Sequence, residues 1–296
     1  MAGPPLRTLA KSAVPMSPSP QITVPALALA GLAAVWWRAN FERVPVKALI
    51  PFLNETMLYQ FQWGFRKAGK SLDDYKVFAQ REIRPILRRM LDKVEAENIL
   101  QPQAVYGFWR CASEGDSVVL YDEVSSSPPP LAGEGRVGGE PGALKEVARF
   151  TFPRQARDGG LCIADFFRDR TANELDVIGL QVVTMGQRAS EVAREWFAEN
   201  RYQDYLYLHG LGVETAEALA EYTHKRIRGE LGFGHEDDRD MDQMLKQGYR
   251  GSRYSFGYPA CPNLADQAQL LSLLGAERIG IQMSDEDQLH PEQSTS

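Results

Sequence analysis

Apolar residues recur at helical spacing from the middle of the first hundred residues: Leu49, Phe52, Leu53, Met57, Phe61 and Phe65 form one stripe. That spacing places them on one face of a helix turned toward a core. A second stripe, Phe78, Ile83, Leu87, Met90, Leu91 and Val94, predicts another helix, with Asp73 as its cap and Pro85 kinking or restarting it. The period then changes. Ala104–Arg110 and Ser117–Asp122 are rich in Val, Tyr, Phe and Trp and flank a turn-like Ser113-Glu114-Gly115-Asp116, which predicts a β-hairpin. Glu146–Phe152, Leu161–Phe167 and Asp176–Met185 predict further strands. Gln187–Asn200 reads as a helix, Tyr205–Leu208 as a short apolar segment, Glu214–Arg228 as a strong helix and Asp240–Lys246 as a short one. Arg250–Pro262 reads as a loop, Asp266–Leu274 as a last helix and Ile279–Met283 as a final strand. Helices and strands do not alternate in a βαβ rhythm, so the pattern predicts an α+β fold.

Two stretches stand outside this pattern. Six prolines punctuate the first 25 residues, and Ala26–Trp37 is almost wholly apolar. That run is shorter than the ~20 residues a membrane helix needs, and Trp36-Trp37-Arg38 is a poor cleavage context for a signal peptide. Residues 1–40 therefore read as a loosely ordered leader, with the domain proper at 41–296. Residues 125–145 contain nine Gly or Pro and no aromatic residue, too little apolar surface to offset the entropy of ordering. They read as a flexible surface insertion between two strands.

Charge changes the picture modestly. The 296 residues carry 33 Lys and Arg against 39 Asp and Glu, a net charge of −6. A broad basic face for nucleic acid is therefore not expected. Cys111, Cys162 and Cys261 are too few and too scattered for a disulfide framework or a structural zinc site; Cys111 and Cys162, both in expected strands, read as small core residues. His209, His224, His235 and His290 include no pair spaced i,i+4 on one helix and read as surface or turn histidines. Gly210-Leu211-Gly212 lacks the third glycine of a dinucleotide fingerprint, because position 215 is Thr215. Those glycines read as easing a tight strand-to-helix turn.

The informative stretch is Arg250 to Pro262, which packs arginine, aromatics, glycine and two prolines into one loop. Pro259 and Pro262 stiffen the backbone, and Gly257 permits positive φ or close approach. Arg253 can grip a carboxylate through two parallel hydrogen bonds. Tyr254, Phe256 and Tyr258 offer flat faces for a purine or a sulfonium. The same residues also suit a structural loop pinned by one arginine.

Arg253-Tyr-Ser-Phe-Gly257-Tyr258-Pro-Ala-Cys-Pro resembles the Arg-x-x-x-Gly-Tyr-Pro-Ala-Cys-Pro loop of the reactivation domain of cobalamin-dependent methionine synthases. Leu53-Asn54-Glu55-Thr56-Met57-Leu58-Tyr59-Gln60, Pro102–Gly107, Phe150–Gln155, Glu217–Tyr222 and Gln288–Ser296 also resemble that family. The resemblance covers residues 44–124 and 146–296. It implies a single mixed domain with a mainly antiparallel sheet flanked by helices. It further implies a cytoplasmic module of methyltetrahydrofolate–homocysteine methyltransferase. Such a module binds S-adenosylmethionine and presents its methyl group to a cobalamin-binding domain or subunit, while a flavodoxin-type reductase supplies an electron. By position, Arg253 would hold the ligand carboxylate, and Gly257 and Tyr258 would shape the pocket. Asn54 would accept from the amino group where well-known members have aspartate. Glu217 would form an acidic wall, or else be a solvated helix carboxylate. The resemblance implies no catalytic residue and no metal ligand here. The family continues past Ser-Thr-Ser into a strand that closes the site, so a chain stopping at Ser296 is expected to lack one pocket wall. A remnant that acts only in structure or interaction, without ligand, is the competing expectation. A self-contained methyltransferase is the weakest, since no general base lies near the loop.

Overall fold

The computed structural model describes residues 38–41, 44–123, 144–156 and 158–296. The apolar run 26–37 and nearly all of segment 125–145 lie outside the described residues. In chain order the regular elements are β1 (Arg38–Phe41), α1 (Val46–Leu49), α2 (Leu72–Phe78), α3 (Arg84–Ala96), β2 (Gln103–Glu114), β3 (Ser117–Glu123), β4 (Leu144–Thr151), β5 (Asp176–Thr184), α4 (Gln187–Ala198), α5 (Tyr202–Glu230), α6 (Met241–Met244) and α7 (Gln267–Leu274), followed by the short strands β6 (Gln282–Met283), β7 (Leu289–His290) and β8 (Ser294–Thr295). The class is α+β, as expected. The chain forms two compact units. The larger takes the described residues up to Trp109 together with Val177–Arg253 and Leu264–Ser296; the smaller takes Arg110–Asp176 and Tyr254–Asn263.

The larger unit is built around α5. Leu208, Leu211, Ala218, Leu219 and Ala220 on this helix join Leu49, Leu58, Trp63, Ile83, Val94, Val183 and Trp196 in one buried apolar cluster. The expected break at Gly210 and Gly212 does not occur: both lie inside the 29-residue helix. The glycines serve packing instead of turning. A Cβ on Gly210 would lie 2.8 Å from Cβ of Gln62 and 3.0 Å from the Trp63 ring, and one on Gly212 would lie 2.9 Å from Gln293. Burial against these neighbours outweighs the ~1 kcal/mol that glycine costs a helix.

The first apolar stripe is broken into α1, a 3-10 turn at Ile50–Phe52 and a π-helical segment at Met57–Gln62. Pro51 stands in the 3-10 turn, and Leu53 after it is extended, so a continuous helix is interrupted. The wider π turn shifts the register, and Phe61 is exposed while Leu58 and Tyr59 are buried. The second stripe restarts where expected: a π-helical segment at Ala79–Ile83 leads into α3, with Pro85 in its first turn. Its cap differs. Ser71, not Asp73, receives the backbone N–H of Asp74 at 3.1 Å, and Asp73 lies in the first turn, where a negative charge suits the helix dipole. Arg38–Asn40, expected to belong to the leader, form β1 with Phe41 and pair antiparallel with Tyr106, Gly107 and their neighbours in β2. The end of the chain also joins a sheet, since Thr295 and Ser294 pair with Val183 and Thr184 of β5. The final strand expected at 279–283 shrinks to β6, because Ala276–Ile279 turns as a 3-10 helix after the left-handed Gly275.

The smaller unit holds the expected hairpin. Glu114 of β2 pairs with Ser117 of β3 around Gly115 at φ 58°, and β4 lies antiparallel on β3 with a register shift after Leu120. The strand expected at 161–167 is absent; Ile163–Phe166 is a 3-10 turn, and Cys162 is its cap residue instead of a strand residue. Asp165 takes the backbone N–H of Cys162 at 2.9 Å, and Arg154 holds the same carboxylate at 2.9 and 3.0 Å. That local capture favours a turn over a ladder. Among the described residues, no helix is long and apolar enough to cross a membrane.

Candidate functional site

Helix α5 presents Glu217, Glu221, His224 and Arg228 at spacings of four, three and four residues, which stack them along one face. The chain leaves α5, makes a 3-10 turn and α6, and returns with Tyr249 and Arg253 against that face. Arg253 donates from Nη2 to Glu217 Oε2 at 2.6 Å and from Nε to Glu221 Oε1 at 3.0 Å. Its side chain is only 12% exposed. Burial would lower the pKa of the guanidinium, but the two carboxylates outweigh that and raise it. Glu221 shows the converse. Burial would raise its pKa, yet His224 and Arg253 hold it down at about 2. Glu217 is thus a partner of Arg253 and not a free solvated carboxylate.

Behind this pair, Arg228 grips Asp237 with Nε and Nη2, both at 2.7 Å. The two side chains are 1% and 4% exposed. Arg228 lies over the Tyr249 ring at 3.8 Å and donates from Nη1 toward His224 Nδ1 at 2.8 Å. His224, expected at the surface, is half-buried on α5, and burial lowers its pKa. His209 is likewise on α5, beside Tyr205 at 5.7 Å between ring centres.

Asn54 has a different task. Its Oδ1 accepts from the Met57 N–H at 3.1 Å and its carbonyl from Leu58 N–H at 3.0 Å, so it starts the helical turn leading into Met57–Gln62. The carboxamide oxygen has a second lone pair for another donor. Neighbouring Glu55 pairs with Arg84 at 3.0 Å.

Gly257 and Tyr258 lie in the smaller unit. Gly257 has φ 91°, the left-handed conformation that its motif position suggested. Its N–H donates to Cys261 O and Cys261 N–H to Tyr258 O, both at 2.9 Å, which closes a tight loop with Pro259 inside it. Gln155 Nε2 holds Pro259 O at 2.9 Å, Phe256 packs on Phe150 at 6.0 Å, and Tyr254 on Phe166 at 6.5 Å. The Tyr258 ring remains exposed. The loop is therefore rigid on its own unit, anchored by the 150–155 segment.

The structure brings Arg253 and Glu217 together, along with Glu221, Tyr249, Arg228 and Asp237, which motif reading did not single out. Glu221 was accessible to it, four residues beyond Glu217 on a strongly helical stretch. Tyr249 and Asp237 carry no such local mark; only the return of the chain brings them in.

Fold, ion-paired arginine and the Gly-Tyr-Pro-Ala-Cys-Pro loop together define the class: an α+β activation domain. Residues 45–296 match the family described as vitamin B12 dependent methionine synthase, activation domain, and the chain belongs to that family. Methionine synthase of Mycobacterium tuberculosis is 44% identical over 272 residues, covering 88% of this chain and 22% of that protein. Methionine synthase of Mycobacterium leprae is 41% identical over 272 residues, covering 88% and 21%. The chain thus spans about a fifth of the length of these relatives. A crystal structure of the MetH reactivation domain bound to AdoHcy shares the fold, with a TM-score of 0.72 at 22% identity, covering 88% of this chain and 77% of that one.

Proposed function

We propose that the chain is an S-adenosylmethionine-binding module that supports reductive methylation of the cobalamin of methionine synthase. The observation that carries the reading is Arg253 held between Glu217 and Glu221 at 2.6 and 3.0 Å at the head of the family's loop. S-adenosylmethionine combines a carboxylate with an ammonium and a sulfonium. A fixed guanidinium suits the first, and carboxylates suit the other two. Arginine with two glutamates carries a net charge of about −1, complementary to a ligand whose net charge is positive. Asn54 supports the reading through the remaining lone pair of its Oδ1. Gly257 and Tyr258 are proposed from their place in the motif, the first for close backbone approach and the second for its exposed ring. The AdoHcy bound to the solved reactivation domain is consistent with this ligand class.

When bound, the ligand would supply a methyl cation equivalent. This chain's part is to bind and orient it. Cobalamin belongs on the partner domain or subunit, and the electron on a flavodoxin-type reductase, in a cytoplasmic enzyme. Calorimetric titration of the folded chain with S-adenosylmethionine tests the reading. Saturable heat is expected, lost in Arg253→Ala and strengthened in Asn54→Asp, which adds charge without losing the cap. No heat from wild type at millimolar ligand, with a native circular dichroism spectrum, would overturn it in favour of a remnant without ligand.

A further inference from the structure

The cluster behind Arg253 is built from groups that are costly to bury. Arg228 and Asp237 are a buried ion pair with two parallel bonds of 2.7 Å. Such a pair adds little net stability over apolar residues of the same size, so its geometry is the feature to explain. Arg228 presents an N–H to His224 Nδ1 at 2.8 Å. Nδ1 must then accept, and the ring proton belongs on Nε2. The same Nδ1 lies 3.9 Å from Glu221 Oε2. A proton on Nδ1 would turn His224 into a rival of Arg253 for Glu221. The Tyr249 hydroxyl faces that same Oε2 at 3.5 Å, while its ring supports Arg228 at 3.8 Å and meets His224 edge-on at 5.1 Å.

We propose that Arg228, His224 and Tyr249 form a positioning network that keeps Glu221 committed to Arg253, with Arg228 excluding the Nδ1-protonated imidazole that would draw Glu221 away. The charged and titratable groups facing His224 are Glu221 and Arg228 on its own helix and Tyr249 and Arg253 on the returning segment, with Asp237 behind Arg228. The effect on ligand affinity rests on the reading in the preceding section; the state of His224 does not.

The test uses the full chain labelled with nitrogen-15 histidine, followed by nuclear magnetic resonance from neutral pH downward, with S-adenosylmethionine affinity measured over the same range. In wild type, His224 is expected as the Nε2-protonated tautomer, with its pKa below the ordinary 6.5. In Arg228→Met, which removes the neighbouring charge but leaves the burial, it should titrate higher than in wild type. Affinity should then fall about fivefold at the acid end and recover at alkaline pH, a profile that lost packing alone would not produce. His224→Gln, which can still accept from Arg228 but cannot take on a charge, should show no such pH profile. If Arg228→Met does not fold, the wild-type spectrum decides alone. A wild-type His224 that carries its proton on Nδ1, or that titrates at its ordinary value, overturns the proposal. So does an unchanged affinity profile in a folded Arg228→Met. A wild type that binds no ligand but keeps His224 locked would overturn the ligand reading and leave the network standing.

Discussion

Arg253 is held by two carboxylates that differ in burial. Glu217 keeps 35% of its side chain exposed, while Glu221 keeps 18%. The folded pKa of Glu221, about 2, lies below the ordinary 4.5, so its share of stability is fully present above about 4.5 and is lost as pH falls through about 2. The shift corresponds to at most about 3 kcal/mol. Chemical denaturation at a series of pH values should show wild type losing stability across that window. Glu221→Gln should be less stable at neutral pH and nearly flat over the same window. An equally steep decline in the variant would place the acid sensitivity elsewhere, for example in Asp165, whose pKa Arg154 lowers.

Among the elements, α5 matters most, because it supplies core, glycine contacts and ionised face at once. A residue that serves packing on one side cannot be exchanged for helix propensity without cost. Gly210→Ala would gain about 1 kcal/mol of propensity. Its Cβ would press on Gln62 Cβ and on the Trp63 ring, and that ring is pinned by its 3.1 Å bond to Tyr207 O. Overpacking typically costs about 1–3 kcal/mol, so a net loss of about 1 kcal/mol is expected. Gly229, on the same helix, has open space around the added atom. Gly229→Ala should therefore stabilise by up to about 1 kcal/mol. Melting temperatures of the two variants should move in opposite directions; two shifts of the same sign would mean that the close approach at Gly210 does not govern.

For the molecule as a whole, ligand binding and stability are linked. Whatever binds only the folded chain raises its stability, by about 2.7 kcal/mol at a hundredfold excess over Kd. Differential scanning calorimetry should show the melting transition rise with S-adenosylmethionine in wild type and stay fixed in Arg253→Ala. A rise in that variant equal to wild type would move the binding site away from Arg253.

How much of this could be read without coordinates depended on the range of the interaction involved. Local patterns were sufficient for the α+β class, the β2–β3 hairpin, the restart at Pro85 and the positive φ of Gly257, because each is decided by residues within a few positions. The ten-residue loop motif was specific enough to point to the family and to Arg253. Long-range packing decided the rest. Gly210 and Gly212 look like breakers until Gln62, Trp63 and Gln293 are placed against them. The segment 161–167 looks like a strand until Asp165 turns back onto Cys162 under the hold of Arg154. His224 looks like a surface residue until Arg228 and Tyr249 enclose it. Pattern along the chain carries backbone propensity and the type of each side chain; which carboxylate an arginine meets, and which atom of an imidazole keeps its proton, is set by partners far away in sequence that only folding brings within hydrogen-bonding distance.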